Sequence, residues 1–243
     1  MQFSRFALIV LAVSFVLNLS AQEKPAAPKE PAKTQAASEV SAKPSGPAVD
    51  DVKVTDSTFE SPYFKFTYDL PTGWKTLDDA TRKAANDLAM REDMERARAT
   101  FATPKKAAAK TPTNPRPQPQ ANPVVPERYS LMAASSDGLD SLASPVLPRI
   151  NIWAHRRLPP LDKPLDHVQL LMSGKHNEIL VRPQELMVAG RQFARIELIN
   201  AAGNYQARYV TVVGDYLIGF DFLTKSEREM AEFSNSIKSV KFE

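Results

Sequence analysis

The sequence predicts an α+β fold in which helices pack against an antiparallel meander sheet. Two observations carry that assignment. Four consecutive β-rich runs fill the C-terminal third, and the connections between them are too short for a parallel crossover. An amphipathic segment follows the last run and can cover its apolar face.

The elements follow in chain order. Residues 1–21 read as an export address, with Arg5 in a short n-region, an apolar run from Phe6 to Val16 extended by Leu17 and Leu19, and Ala21 at the cleavage position. The run falls short of the ~20 apolar residues that span a bilayer, so a cleaved signal peptide is preferred to an uncleaved anchor. A Pro/Ala/Lys-rich linker is assigned to 22–56, and a second Pro-rich segment, 103–126, interrupts the folded body at 57–243. The stretches 22–50 and 103–126 hold twelve of the 20 prolines and no aromatic residue. Neither can bury enough surface to offset the entropy of ordering it, so both are expected to be disordered.

Within the body, Tyr63–Leu70 is rich in β-formers and ends at Pro71-Thr72-Gly73, with Trp74 placed to pack back onto the sheet. A helix is predicted from Leu77 to about Phe101. Asp78–Arg82, Asp79–Lys83, Asp87–Arg91 and Glu92–Arg96 are acid-first pairs at i,i+4. Leu77, Ala80, Ala84 and Leu88 form one apolar stripe, and Met90, Met94, Ala97 and Phe101 form a second, rotated by more than a quarter-turn. Arg128–Ser135 and Arg149–Arg156 read as strands. The second alternates Ile150, Ile152 and Ala154 with Asn151, Trp153 and His155. Asp162 is expected to cap a helix that carries Pro164 in its first turn and continues through Leu165, Val168 and Met172 to Ile179.

The four meander strands are Gln184–Val188, Gln192–Ile199, Tyr205–Val213 and Tyr216–Thr224. Gly214-Asp215 between the last two is a two-residue hairpin signal, because glycine tolerates the positive φ such turns require. Tyr216, Ile218, Phe220 and Phe222 line one face of the final strand. The helix expected to cover them begins with a capping box, Ser226 and Glu229, and buries Met230, Phe233 and Ile237. A short strand, Val240–Phe242, closes the domain.

These motifs carry a resemblance. Tyr63 to Trp74, reading YFKFTYDLPTGW, resembles the first motif of the PsbP-like superfamily, and the aromatic strand, acid-capped helix and Ser-Val-Lys-Phe ending are similar in order. The resemblance implies an α/β/α sandwich, shared with the Ran-binding Mog-type proteins, over most of 57–243. It also implies an exported protein of the kind found in bacterial envelopes. Its motifs report a turn and a core, so they assign no activity.

Composition removes several function classes. The chain has no cysteine, which excludes disulfides, thiolate metal sites, thiol catalysis and a lipid-modified cysteine. A net charge of +3 points to no nucleic-acid partner. There is no serine-nucleophile elbow, zinc-protease His pair, phosphate-binding glycine loop or dinucleotide fingerprint. His155 is read as a partly exposed strand residue whose protonation Arg156 and Arg157 oppose. His167 and His176, nine residues apart on one predicted helix, point to opposite faces and share no metal. No cofactor or metal is expected.

Two features are left as candidate partner sites. From Arg96 to Pro126 there are six basic residues and no acid, and Lys105, Lys106, Lys110 and Arg116 within it could meet an anionic envelope component. Tyr205 and Tyr209 share one strand face with Ala207 and could form an aromatic contact surface, although half-buried sheet packing explains them too. The expected function is a secreted or periplasmic, non-enzymatic binding or accessory domain of unassigned ligand, with at most peripheral membrane contact. The alternative is a cell-envelope hydrolase whose active site carries no sequence motif.

Overall fold

A computed structural model describes residues 46–102, 127–159, 161–174 and 176–243. Its main sheet has seven strands. In chain order these are β4 (Lys75–Thr76), β5 (Arg128–Ser135), β6 (Arg149–Arg156), β7 (Glu178–Val188), β8 (Arg191–Ile199), β9 (Tyr205–Val213) and β10 (Tyr216–Thr224). They lie in the order β4-β5-β6-β10-β9-β8-β7, and every pairing is antiparallel. The meander from β7 to β10 is therefore present as read. Gly214 at φ 57 makes the β9–β10 turn. A second sheet of four short strands, β1 (Lys53–Val54), β2 (Thr58–Ser61), β3 (Phe66–Asp69) and the C-terminal β11 (Lys241–Phe242), packs across the first.

β10 lies at the centre of the main sheet and is buried on both faces. Tyr216, Ile218, Phe220 and Phe222 face the smaller sheet and α3 (Glu227–Asn235), where Phe66 meets Phe220 edge-on and Tyr68 meets it at a tilt, with ring separations of 5.8 and 6.0 Å. Ser226 caps α3, its hydroxyl accepting from the Glu229 N–H at 3.3 Å. Met230 is buried within the helix, Ile237 in the 3₁₀ turn after it, and Phe233 meets Trp74 edge-on at 4.9 Å. The opposite face holds Leu217, Val210, Ala194, Ile196 and Leu198 beneath α2 (Pro164–Gln169) and its buried Val168. Helices thus flank both faces of an antiparallel sheet, the α+β sandwich read from the sequence, with the smaller sheet sharing one outer layer with α3.

Four expectations need correction. The folded body begins ahead of residue 57: Lys53–Val54 pair with β2, and the Asp50 carbonyl accepts from Arg82 at 2.7 Å. α2 is short. It ends at Gln169, continues as a 3₁₀ turn to Ser173, and Ile179 already belongs to β7, which starts six residues before Gln184. Gly174 stops the helix, and the alternation of Ile179 and Val181 belongs to a strand. Lys163, not Asp162, occupies the N-cap position, and no side chain caps it. His167 and His176 consequently share no helix.

The fourth correction concerns α1 (Asp79–Ala102). Its boundaries are as expected, and the Asp78 carboxylate caps it by accepting from the Thr81 N–H at 2.9 Å. The buried face is not the apolar stripe. Ala80, Ala84 and Leu88 are exposed, whereas Arg82 and Asn86 are buried. The reason is the open edge of β5. β4 covers only Ala134 and Ser135, and a bulge interrupts the pairing with β6 between Ser130 and Met132. The Asn86 amide closes both backbone groups of Ser130, donating to its carbonyl at 3.1 Å and accepting from its N–H at 2.8 Å, while Arg82 donates to the same carbonyl at 2.8 Å. Unpaired backbone at a buried edge costs more than exposing a leucine, so polar side chains take the inner face.

Candidate functional site

Every second residue of β6 points to the face shared with α2: Arg149, Asn151, Trp153 and His155. Cross-strand register then places Asn151 beside Asp221 of β10, and Asp221 beside Arg208 of β9. The row is joined by ion pairing. The Arg208 guanidinium donates to both Asp221 oxygens, at 2.5 and 2.6 Å, and the Trp153 Nε1–H donates to Asp221 Oδ2 at 3.1 Å. Both charged side chains are largely out of solvent. The bidentate geometry and the indole donor together satisfy the carboxylate, which a buried charge requires.

Trp153 lies flat because its cross-strand partner is Gly219. A Cβ on Gly219 would stand 1.9 Å from the indole Cζ2. His155 and His167 stack on the same indole, with ring separations of 4.2 and 4.9 Å, and lie 5.6 Å from each other. Burial lowers the His155 pKa to about 3, aided by His167, Arg128 and Arg208. Burial likewise lowers His167 to about 4, where Arg208 and Arg128 outweigh Asp221. Both rings are neutral near pH 7.

Above this floor, α1, Arg128 and Leu142 enclose an open groove of about 320 Å³. Ala85, Asn86 and Ala89 come from α1, Tyr129 and Ser130 from β5. Arg128 and His155 also line an adjoining depression of about 440 Å³ that reaches His167, Leu170 and Leu217. Three arginines line the groove against one carboxylate, Asp221. Arg149 is held by neutral acceptors: Asn151 Oδ1 at 3.1 Å, the Ser144 carbonyl at 2.7 Å and the Leu142 carbonyl at 3.0 Å. Burial lowers its pKa, more than the Asp221 charge raises it.

A second cleft, about 460 Å³, lies between α3 and the β7–β8 hairpin. Tyr209 lines it and is buried; Tyr205, half-buried, packs at the rim of the aromatic core. Here the charge is matched. Arg195 pairs with Glu197 through Nε at 3.0 Å and also through its terminal nitrogen. Lys105, Lys106, Lys110 and Arg116 lie outside the described residues. Among the described residues no cluster of three or more metal-ligating side chains occurs, and no helix is long and apolar enough to cross a membrane.

The structural likeness is to a cyanobacterial PsbP. The solution structure of that protein, CyanoP from Synechocystis sp. PCC 6803, is 11% identical, covering 78% of this chain and 95% of its own length with a TM-score of 0.42. No family model and no curated protein sequence matches the chain. The likeness is one of chain course, and no residue's role passes with it.

The groove residues were visible in the sequence only as an alternation. Asn151, Trp153 and His155 were placed on one strand face, but Arg208 and Asp221 carry no motif. Their partnership arises from register between strands, which a single sequence displays only after the hairpin is closed at Gly214. A charged residue in the middle of two otherwise apolar strands was the available signal.

Proposed function

We propose that the chain is an exported binding or accessory domain without catalytic activity, and that the groove over Trp153, Arg208 and Asp221 is where it binds. The observation that carries this reading is the groove's set of fixed polar groups, each held by neighbours in the fold before any ligand arrives, as preformed small-molecule sites are. The neutral histidines favour the same reading. Proton transfer near pH 7 works best with a group whose pKa lies near 7, and His155 at about 3 and His167 at about 4 are far below it. Export rests on the apolar segment from Phe6 and its small-residue end at Ala21.

A hydrolase substrate panel on the purified chain tests the non-catalytic half. No turnover above buffer is expected, and turnover that disappears in an Arg208→Ala variant overturns it. Cell fractionation with N-terminal sequencing tests export. Protein in the envelope fraction beginning at Gln22 supports cleavage after Ala21, and recovery of Met1 there overturns it.

A further inference from the structure

Building on the binding-domain reading, we propose that the groove takes an organic anion: a carboxylate or phosphate that engages Arg149 and the Asn151 amide, borne on an apolar body lying along Ala85, Ala89 and Leu142. The first ground is a partly buried cation without an ion pair. Arg149 uses three of its five N–H donors on a side-chain amide and two carbonyls, and among the described residues no carboxylate comes within ion-pair distance of it. A half-buried guanidinium held by neutral acceptors alone keeps most of its desolvation cost, which an anion in the groove would offset.

The second ground is an unused donor. The Asn151 oxygen accepts from Arg149 Nε, which turns its NH₂ group away from that contact, and among the described residues no acceptor engages it. The third is that the groove's own carboxylate is already spent. Asp221 is engaged by Arg208 and the Trp153 indole and forms no ion pair with Arg149, so it favours that charge only from a distance and does not outweigh its burial. Arg128, half-exposed at the rim, adds a positive charge that a 3.7 Å ion pair with Asp93 offsets in part. Alanines on one wall and a leucine on the other leave an apolar strip beside these donors. Its volume suits a small molecule. The cleft under α3 offers no such excess, since Glu197 already neutralises Arg195.

Calorimetric titration of the full chain at pH 7 and low salt tests this, using inorganic phosphate, benzoate and phenyl phosphate, with benzyl alcohol as the neutral control. Benzoate, phenyl phosphate or both should bind at least about ten-fold tighter than inorganic phosphate and benzyl alcohol, and salt should weaken the binding. The two organic anions distinguish a carboxylate site from a phosphate site. Arg149→Gln should abolish binding. Because Arg149 also fastens Leu142 and Ser144, Asn151→Asp is the second variant: it keeps an oxygen for Arg149 Nε yet sets a negative charge in the groove. It should weaken binding by about ten-fold or more; the new carboxylate gains the Arg149 charge but stands opposite Asp221 in the register, so circular dichroism and the melting temperature are read alongside to confirm that the variant is folded at the titration temperature. No binding by any anion, or binding indifferent to Asn151→Asp, overturns the anion site. Equal affinity for inorganic and phenyl phosphate overturns the apolar half of it. Release of phenol from phenyl phosphate is a separate result and overturns the non-catalytic reading underneath.

Discussion

Replacing Gly219 by alanine tests the packing on which the groove floor depends. The added methyl would stand 1.9 to 2.5 Å from three indole carbons of Trp153, whereas carbon–carbon contact is comfortable at about 3.5–4.0 Å. The indole must therefore lift by roughly 1.5 Å. Lifting it breaks the 3.1 Å hydrogen bond to Asp221 and displaces the rings of His155 and His167. Overpacking of this kind costs about 1–3 kcal/mol, and a lost bond to a charged acceptor about 1.5–3 kcal/mol. Alanine's smaller backbone entropy loss returns about 0.5–1 kcal/mol. The net is a destabilisation of about 1.5–5.5 kcal/mol, or a melting temperature lower by on the order of 10 °C for a domain of this size. The assay is urea denaturation of a double-mutant cycle. Trp153→Ala alone should cost about 3–5 kcal/mol. In that background Gly219→Ala should be neutral or slightly stabilising, because the three atoms closest to its methyl are gone. If the two costs simply add, the indole does not rest on Gly219 and the reasoning is wrong.

Other consequences can be measured in the same way. Arg208→Ala leaves Asp221 buried without its cation and should cost about 3–5 kcal/mol by chemical denaturation, with Arg208→Leu no better while Asp221 remains. Asn86→Ala leaves the Ser130 N–H without its acceptor, while Arg82 still holds the carbonyl, and should cost about 1–3 kcal/mol, with faster hydrogen exchange at the Ser130 amide as its local signature. Acid should destabilise the fold through the stacked histidines. The unfolded chain takes up these protons below about pH 6.5, whereas the folded chain takes them up only near 4 for His167 and 3 for His155. Their contribution is complete above pH 6.5 and is lost as pH falls toward 3, with His155 contributing roughly 5 kcal/mol over that span. Denaturant midpoints measured from pH 7 to 4 should fall, and a His155→Gln, His167→Gln double variant should flatten that fall relative to wild type.

The parts of the fold that were legible are those fixed by nearest-neighbour chemistry. Gly214-Asp215 can only turn tightly, so Tyr205–Val213 and Tyr216–Thr224 had to pair. Ser226 followed by Glu229 marks a helix start whatever lies beneath it. What resisted reading depends on partners distant in sequence. Arg82 and Asn86 look like solvated residues of a charged helix until the bulge at Ser130, more than forty residues away, supplies the backbone groups they close. Likewise Ile179 fits a helical stripe until β8 offers it an edge to pair with. In the second sheet β3 and β11 were legible as Tyr63–Leu70 and Val240–Phe242, whereas β1 and β2, two and four residues long, are too short for an alternation to show.

The two faces of β10 explain why binding and stability can reside on one strand without conflict. Phe220 and Phe222 turn toward the aromatic core and take part in no polar contact there, so that face carries the hydrophobic stabilisation. Asp221, the residue between them, turns the other way and anchors the polar row beneath the groove. Alternation along a strand keeps neighbours in sequence on opposite sides of the sheet, so an unfavourable buried carboxylate sits one residue from the best-packed phenylalanines without disturbing them. The arrangement also limits where the polar row can run. A one-residue slip of β10 would drive Asp221 into the aromatic core and Phe220 onto the groove floor, so the cost of misregister falls on both faces at once. The same buried charge that is expensive in the correct register thereby makes the nearest wrong register far more expensive.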